Sequence, residues 1–387
     1  MKFLTLATSA AAAAMLAACG GGGDTTSGSS FDLSGAPGSL MATPSILTQL
    51  TPTAFQAAAP ASLFQVAGVP KCTVTFNYFQ YGTVGGKGEA TTASAGLMVP
   101  SGADPACTGP HPVVLYAHGT TTDKKKNMAS PQDGEAALIA AMYAAQGYIV
   151  VAPNYAGYDS STLGYHPYLN MEQQAKDMID GLTAARKGFA DVGAVASSKL
   201  FVTGYSQGGF VSMATQRALQ LAGTPVTAGA HLSGPYALGA FGDAVYGGRV
   251  NLGATVFSPL LTTSFQRTYG NIYTAPSDMY EPAFATGIET LLPTNLTQTE
   301  LFTQGKLPSA FMFEGPAPDP RLAPFFGTPN LVKTSYRNAV VTDAVANPTS
   351  PKHPLRVAAQ KNDLLQQNWT PAQPMLLCGG KDDPTVF

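Results

Sequence analysis

The sequence predicts an α/β fold in which helices flank a mostly parallel sheet. From Pro112 onward, short apolar runs rich in β-branched residues alternate with segments whose apolar residues recur at helical spacing, as in parallel βαβ units. Between Pro235 and about Pro371 this alternation gives way to Pro-rich and aromatic-rich sequence, which predicts an inserted cap. A chain of 387 residues can bury one large core and carry such an insertion.

The predicted elements follow one another along the chain. A hairpin comes first, with strands at 73–81 and 90–99 joined through the glycine-rich segment 82–86. Apolar residues at helical spacing predict helices across 175–189 and 211–221, and Thr297 and Glu300 have the spacing of a helix capping box. Short apolar runs predict core strands at 113–116, 148–151, 200–202, 226–232 and 375–378.

The composition excludes one class of partner. Hydrophobic residues make up 45% of the chain, which is ordinary for a globular protein, whereas charged residues make up only 11%. The net charge of −2 leaves no basic surface for a phosphate backbone, so we expect no nucleic-acid partner. Lys124, Lys125 and Lys126 form the only dense run of charge, and we interpret it as a solvated loop.

The N-terminus is typical of an exported protein, because Lys2 precedes a short, Ala-rich apolar segment. That segment ends in Leu16-Ala17-Ala18-Cys19-Gly20, which resembles the lipobox of bacterial lipoproteins, where acylated Cys19 would become the new N-terminus. An ordinary signal peptide with a chance cysteine is the alternative. Glycines and small polar residues follow and predict a flexible tether. We expect a protein of the bacterial cell envelope, lipid-anchored at Cys19 in the outer membrane or another membrane, or secreted.

Export would place the other cysteines in an oxidising compartment. Cys72 and Cys107 flank the predicted hairpin, so antiparallel pairing of its strands brings them close and predicts a disulfide. Cys378 is then left without a partner.

The strongest indication of chemistry is Gly204-Tyr205-Ser206-Gln207-Gly208, a G-x-S-x-G sequence between an apolar strand and an amphipathic helix. A strained turn of this kind exposes the serine oxygen above the sheet, and side chains at Gly204 or Gly208 would crowd the neighbouring strand and helix. We therefore predict that Ser206 is a nucleophile. A chance turn serine is the alternative.

Such a nucleophile needs donors for the oxyanion of a tetrahedral intermediate. The backbone N–H of Gln207 is one candidate, because it directly follows the nucleophile. Thr120 is the second, since it follows an apolar strand and His118-Gly119 in an oxyanion-loop pattern, and Thr121 is the fallback. We expect His118 to support this loop by hydrogen bonding and not to act as a base.

The candidate acid follows the last predicted strand. Residues 380–386 resemble the G-x-x-D-x-x-V turn that presents the acid of hydrolase triads, and the spacing selects Asp383. Asp382 is the adjacent alternative, and both could instead be solvated turn carboxylates.

The base is missing from its expected place. The order of a triad in this type of fold is Ser, Asp, His, and no histidine follows Asp383. We expect the histidine and a further strand in a segment beyond Phe387. His166 and His231 are the candidates for bordering the site, and a hydrogen-bonded structural role is the expectation for both.

Five segments form an ordered set along the chain. They are His118-Gly119-Thr120, Asn154-Tyr155-Ala156-Gly157-Tyr158, Tyr165-His166-Pro167-Tyr168, Gly204-Tyr205-Ser206-Gln207-Gly208-Gly209 and Gly379-Gly380-Lys381-Asp382-Asp383. Together they resemble the secretory lipase family of α/β-hydrolases, over a range from about Val66 to the last residue. The resemblance implies an α/β-hydrolase fold, extracellular lipase or esterase activity, an acyl-binding cap, no cofactor, and a histidine in a C-terminal extension.

We therefore predict a serine carboxylester hydrolase that acts on a small-molecule or lipid ester through an acyl-enzyme on Ser206, without metal or cofactor. A prolyl-oligopeptidase-type peptidase and a catalytically inactive binding lipoprotein are the alternatives. The chain divides into a signal peptide and lipobox (1–19), a tether (20–45), a hydrolase core (46–236), a cap (237–371) and a second, truncated part of the core (372–387). The cap residues that either line an acyl pocket or form the cap's own core are Phe257, Leu260, Leu261, Phe302, Phe311, Phe313, Phe325 and Phe326.

Overall fold

The computed structural model describes residues 35–58, 61–224 and 226–387, and within them the strands form one eight-stranded sheet. The strands are β1 (Ser45–Leu50), β2 (Thr73–Val84), β3 (Ala90–Ser101), β4 (His111–Ala117), β5 (Ile149–Pro153), β6 (Ala196–Tyr205), β7 (Ala228–Leu232) and β8 (Met375–Cys378). Their order across the sheet is β1-β2-β3-β5-β4-β6-β7-β8. Strands β5, β4, β6, β7 and β8 are parallel, whereas β1, β2 and β3 pair antiparallel, and β3 is antiparallel to β5. The predicted α/β fold with a mostly parallel sheet is confirmed.

Helices cover both faces of the sheet. The core helices are α1 (Pro52–Ala58), α2 (Ala61–Ala67), α3 (Gly134–Met142), α4 (Met171–Lys187) and α5 (Gln207–Leu221). The side chains of β4 alternate between the two faces: Val113 and Leu115 pack in one cluster with α4 and α5, whereas Val114 and Tyr116 pack in another with α1 and α3. Burial on both faces explains why the central strands are continuous apolar runs.

The chain between β7 and β8 is mainly helical and packs against the same cluster as α4 and α5. We call it the cap. Thr297 accepts the backbone N–H of Glu300 and the Glu300 side chain accepts that of Thr297, so the expected capping box begins the fifth of its helices. These helices are α6 (Leu238–Tyr246), α7 (Ala254–Tyr269), α8 (Pro276–Met279), α9 (Pro282–Ala285), α10 (Gln298–Thr303), α11 (Thr334–Ala346) and α12 (Pro354–Lys361).

Two details of the N-terminal half differ from the expectation. Strand β2 continues to Val84, so Gly82 belongs to the strand and pairs with Thr92 rather than opening the turn. Gly38 donates its N–H to the Gly82 carbonyl, and Leu40 is only 2% exposed. The packed part of the chain therefore begins by Pro37, inside the range assigned to the tether, because these residues line up along β2.

Cys72 and Cys107 are joined by a disulfide at the open end of the β2–β3 hairpin, whereas Cys378 on β8 is an exposed free thiol. Cys19 and the predicted signal peptide lie outside the described residues. In the described part of the chain, no helix combines the length and the apolar character that crossing a membrane requires.

Candidate active site

Ser206 lies at a sharp turn between β6 and α5. Its backbone has φ 56° and ψ −123°, a combination that non-glycine residues rarely adopt and that is typical of a nucleophile elbow. The Ser206 N–H donates to the Leu232 carbonyl at 2.9 Å, which ties the turn to the end of β7. A Cβ at Gly204 or Gly208 would overlap the Ala117 carbonyl oxygen at the end of β4, so the two glycines have the steric role that the sequence predicted.

Ser206, Gln207 and Thr120 line one pocket, which encloses about 920 Å³ including its open mouth. Gln207 is the first residue of α5, so its backbone N–H has no partner within the helix. Among the described residues, neither this N–H nor that of Thr120 donates a hydrogen bond to the protein. The two residues that carry these free N–H groups line the same pocket as Ser206. Thr121 does not line the pocket.

Glu135 stabilises the loop that carries Thr120. This carboxylate accepts the Gly119 N–H and the Tyr116 hydroxyl, each at 2.9 Å, and the Lys126 ammonium at 3.1 Å. Burial alone would raise the pKa of Glu135, but His118, Lys126 and the hydrogen bonds outweigh it and bring the pKa below its ordinary value. Glu135 therefore anchors the loop as an anion.

The interpretation of Lys124 to Lys126 as a solvated loop is wrong for two of the three residues. Lys126 is buried and pairs with Asp133 and Glu135. Lys124 donates to the carbonyl of Gly157. Of the three, only Lys125 is exposed, because Asp133 and Glu135 pair with Lys126 and the Gly157 carbonyl accepts from Lys124.

His118 supports the same loop, as its position in the sequence suggested. Its Nδ1 lies 2.7 Å from the Gly119 carbonyl oxygen and its Nε2 3.2 Å from that of Asn154. The Tyr155 hydroxyl donates to the His118 carbonyl at 2.9 Å. Burial, with a contribution from Lys126, lowers the pKa of His118.

No histidine lies in hydrogen-bond contact with Ser206 Oγ, although all of them belong to the described residues. His166 contacts the Ala156 carbonyl through Nδ1 (2.9 Å) and Gln207 Nε2 through its own Nε2 (2.6 Å). His231 contacts Ser212 Oγ and Gln216 Oε1. Burial lowers the pKa of His166 to about 3 and that of His231 to about 4, so both are neutral at pH 7.

Asp383 follows β8 and shapes the last turn of the chain. Its Oδ1 accepts the backbone N–H groups of Thr385 (2.8 Å) and Val386 (3.0 Å), and these two residues line the pocket that contains Ser206. Asp383 is partly buried, whereas Asp382 is exposed. The predicted acid thus lies at the rim of the site, and within the described residues no histidine connects it to Ser206.

The cap supplies most of the apolar wall. Of the predicted lining residues, Phe257 and Leu261 face the pocket. Leu260, Phe313 and Phe326 are buried in the core instead, and Phe302, Phe311 and Phe325 lie outside the lining. Sequence reasoning missed the apolar lining residues of the other cap elements, which are Leu238, Phe241, Val245, Met312, Val340, Leu355 and Ala359.

One wall of the pocket carries a buried ion pair that the sequence did not reveal. The Arg356 guanidinium donates to both oxygens of Asp243 (2.7 and 2.8 Å) and to Asp343 (2.6 Å). Hydrogen bonds to these carboxylates raise the pKa of Arg356. Because its donors are occupied, the guanidinium holds α6, α11 and α12 together and leaves the rest of the pocket mainly apolar.

Comparisons with known proteins agree with this architecture. Residues 136–221, which span α3 to α5, match the prolyl oligopeptidase family. The rice cell wall degrading esterase LipA from Xanthomonas oryzae is 30% identical with a TM-score of 0.76, and the match covers 91% of this chain and 85% of LipA. A hydrolase from Legionella pneumophila is 21% identical (TM-score 0.70, 88% and 83% covered), and Candida antarctica lipase A is 12% identical (TM-score 0.51, 89% and 69% covered), so these two show the fold.

Curated protein sequences gave no significant match. The identity to LipA and the length over which it extends nevertheless show the family. The protein belongs to the α/β-hydrolase family that contains LipA, and it is a hydrolase of the serine type.

Proposed function

We propose that the protein is a carboxylester hydrolase that uses Ser206 as its nucleophile. The observation that carries the proposal is the meeting of three features in one pocket: the strained serine, two free backbone donors and an apolar wall. An ester offers a carbonyl carbon for the serine, a carbonyl oxygen for the donors and an acyl chain for the wall.

In the proposed reaction, Ser206 Oγ attacks the carbonyl carbon, and the oxyanion accepts hydrogen bonds from the N–H groups of Gln207 and Thr120. Collapse of the tetrahedral intermediate expels the alcohol and leaves an acyl-enzyme, which water hydrolyses to the acid and free Ser206. The Ser206 hydroxyl proton passes to water, and the departing alkoxide takes up a proton from water. Because no histidine of the described residues contacts Ser206 Oγ to carry this proton, we expect slow turnover.

The pocket supports an ester rather than a peptide substrate. Phe241, Phe257 and Leu261 make its wall apolar, and Asp243, the acid in that wall, is already paired with Arg356. Among the described residues that line the pocket, no free charge is therefore left to bind the terminus of a peptide. The match to the prolyl oligopeptidase family covers only the core around the elbow and not the cap, whereas the match to the esterase LipA covers most of both chains.

We also propose that 237–371 acts as a cap over Ser206 and that the protein is exported. The disulfide supports export, because such bonds persist in oxidising compartments.

Lipid anchoring through Cys19 remains a proposal from the sequence. Detergent-phase partitioning of wild type against Cys19→Ser tests it, and a wild-type protein found wholly in the aqueous phase would refute it.

Hydrolysis of p-nitrophenyl esters, compared with aminoacyl p-nitroanilides, tests the substrate class. We expect ester hydrolysis that disappears in Ser206→Ala and little or no release from the amides. Faster cleavage of the amides by the wild-type protein, again lost in Ser206→Ala, would favour the peptidase.

A further inference from the structure

His166 makes the closest side-chain contact to the residue after the nucleophile. The imidazole is 2% exposed and lies between the rings of Tyr155 and Tyr158, at centroid distances of 5.6 and 4.6 Å. Its Nε2 lies 2.6 Å from Nε2 of Gln207, whose side chain is also buried. The two residues are 41 positions apart in sequence, and the contact joins the segment between β5 and α4 to the first residue of α5.

The protonation of His166 follows from its two neighbours. The Ala156 carbonyl can only accept, so Nδ1 carries the proton and donates to it at 2.9 Å. A neutral ring then presents one lone pair at Nε2, and the Gln207 amide at 2.6 Å is a closer donor to it than the Gln174 amide at 3.4 Å. Because burial holds the pKa of His166 at about 3, this pattern persists throughout the neutral range.

On the side of His166 away from Gln207, hydrogen bonds tie the imidazole to the core through Ala156. Ala156 donates its N–H to the buried carboxylate of Asp177 at 2.6 Å, while its carbonyl accepts from His166. Tyr155, the residue before it, adopts φ 66° and donates its hydroxyl to the loop of Thr120 through the His118 carbonyl. The segment that follows β5 therefore supports both proposed oxyanion donors.

We propose that His166 is a positioning residue: by binding the side chain of Gln207, it fixes the backbone N–H that receives the oxyanion. The inference rests on the proposed function. His166 does not touch the reacting atoms and does not take the proton of Ser206. Its effect belongs to the transition state, so its loss changes the rate of reaction at Ser206 more than the affinity for substrate.

The test measures the rate constant for labelling Ser206 with a fluorophosphonate, whose phosphoryl oxygen would occupy the same donors. His166→Phe should slow labelling about tenfold, less than the loss of a whole oxyanion donor, and His166→Gln, which can still accept from Gln207, should recover part of the rate. The dissociation constant of a non-reactive ester analogue should stay unchanged in both variants.

His231→Phe is the matched control, because His231 is equally buried and binds the same helix through Ser212 and Gln216. It should lower stability without slowing the label. In Gln207→Ala, the further change His166→Phe should have no effect, since the shared contact is already gone.

The inference would be overturned if His166→Phe were labelled at the wild-type rate. It would also be overturned if His231→Phe slowed labelling as much as His166→Phe does. If the wild-type protein is not labelled at all, the proposed function fails, and hydrogen exchange of the Gln207 amide decides the inference separately. Faster exchange in His166→Phe than in His231→Phe supports the positioning role, and equal exchange refutes it.

Discussion

Gly208 lies where α5 passes over the end of β4. A Cβ at this position would overlap the carbonyl oxygen of Ala117 and come within 2.8 Å of that of His118. Both are backbone atoms, which cannot rotate away as the end of a side chain could. The elbow that exposes Ser206 therefore depends on the absence of one methyl group.

Gly208→Ala should lower the free energy of unfolding by about 2 kcal/mol or more, as overpacking does in a dense core, and should abolish labelling of Ser206. Gly134→Ala is the control, because nothing lies within 4 Å of a Cβ at that helical position. Urea denaturation measures both. If Gly208→Ala had the stability and the labelling rate of the wild type, the elbow would have space for a Cβ at this position, which would contradict the structure.

At the scale of single residues, the sequence predicted those site residues that lie close together in the chain. Ser206 and Gln207 lie in one short pattern, and strand and helix neighbours made that pattern specific. The contact between Arg356 and Asp243 spans 113 residues, with nothing in the sequence around either residue to pair them. Such contacts arise only when the cap has packed.

At the scale of elements, the β2–β3 hairpin is closed by the bond between Cys72 and Cys107. Thr73 pairs with Ser101 just inside the two cysteines, so the disulfide seals the open end of the ladder. The cysteines are 35 residues apart in sequence, and the bond restricts a loop of that length in the unfolded chain.

Replacing both cysteines by alanine should lower the free energy of unfolding by about 3 to 4 kcal/mol, because the unfolded chain regains the entropy of the open loop. Denaturation of the oxidised wild type, the reduced wild type and the double variant measures the effect, and the last two should agree. Recovery of Cys72 and Cys107 as free thiols from normally exported protein would refute the pairing.

Core strands were easier to predict than cap helices for a physical reason. A strand buried on both faces must be apolar at every position, and such a run is visible in the sequence. Helices α8 and α9 have only four residues each, too few to show a period. Which face of α6 or α12 turns toward Ser206 depends on packing with other parts of the cap, so the pocket lining could be predicted only in part.

At the scale of the whole molecule, buried ionisable groups link stability to pH. Asp177 lies on α4, where it accepts the hydroxyl of Tyr81 on β2 at 2.8 Å and the Ala156 N–H at 2.6 Å. Burial outweighs these hydrogen bonds and raises the pKa of Asp177 from 3.8 to about 7. His166 and His231 shift the other way, to about 3 and 4 from 6.5.

The signs of these shifts give the pH profile. Since Asp177 holds its proton more tightly in the folded state, its contribution to stability is lost as the pH rises from about 4 to about 7. The two histidines resist protonation when folded, so their contribution is lost as the pH falls below 6.5 toward 3 to 4. The opposing slopes act over the same acidic range.

Asp177→Asn has no carboxyl group to ionise, so its free energy of unfolding should lack the decrease that Asp177 causes between pH 4 and 7. The free energy of unfolding of the variant, relative to that of the wild type, should therefore increase as the pH rises through this window. Urea denaturation at several pH values measures the difference. Glu172→Gln, on the exposed side of the same helix, is the control. A difference between Asp177→Asn and wild type that is constant with pH would contradict the account.

The central claim is that Ser206 reacts as a nucleophile in a preformed site, although no histidine of the described residues contacts its Oγ. The most direct test is mass spectrometry of the protein after treatment with a fluorophosphonate, with and without added imidazole as an external base. We predict one adduct, on Ser206, formed slowly alone and faster with imidazole, and absent in Ser206→Ala. An adduct on another residue, or an unlabelled Ser206 at every imidazole concentration, would contradict the account.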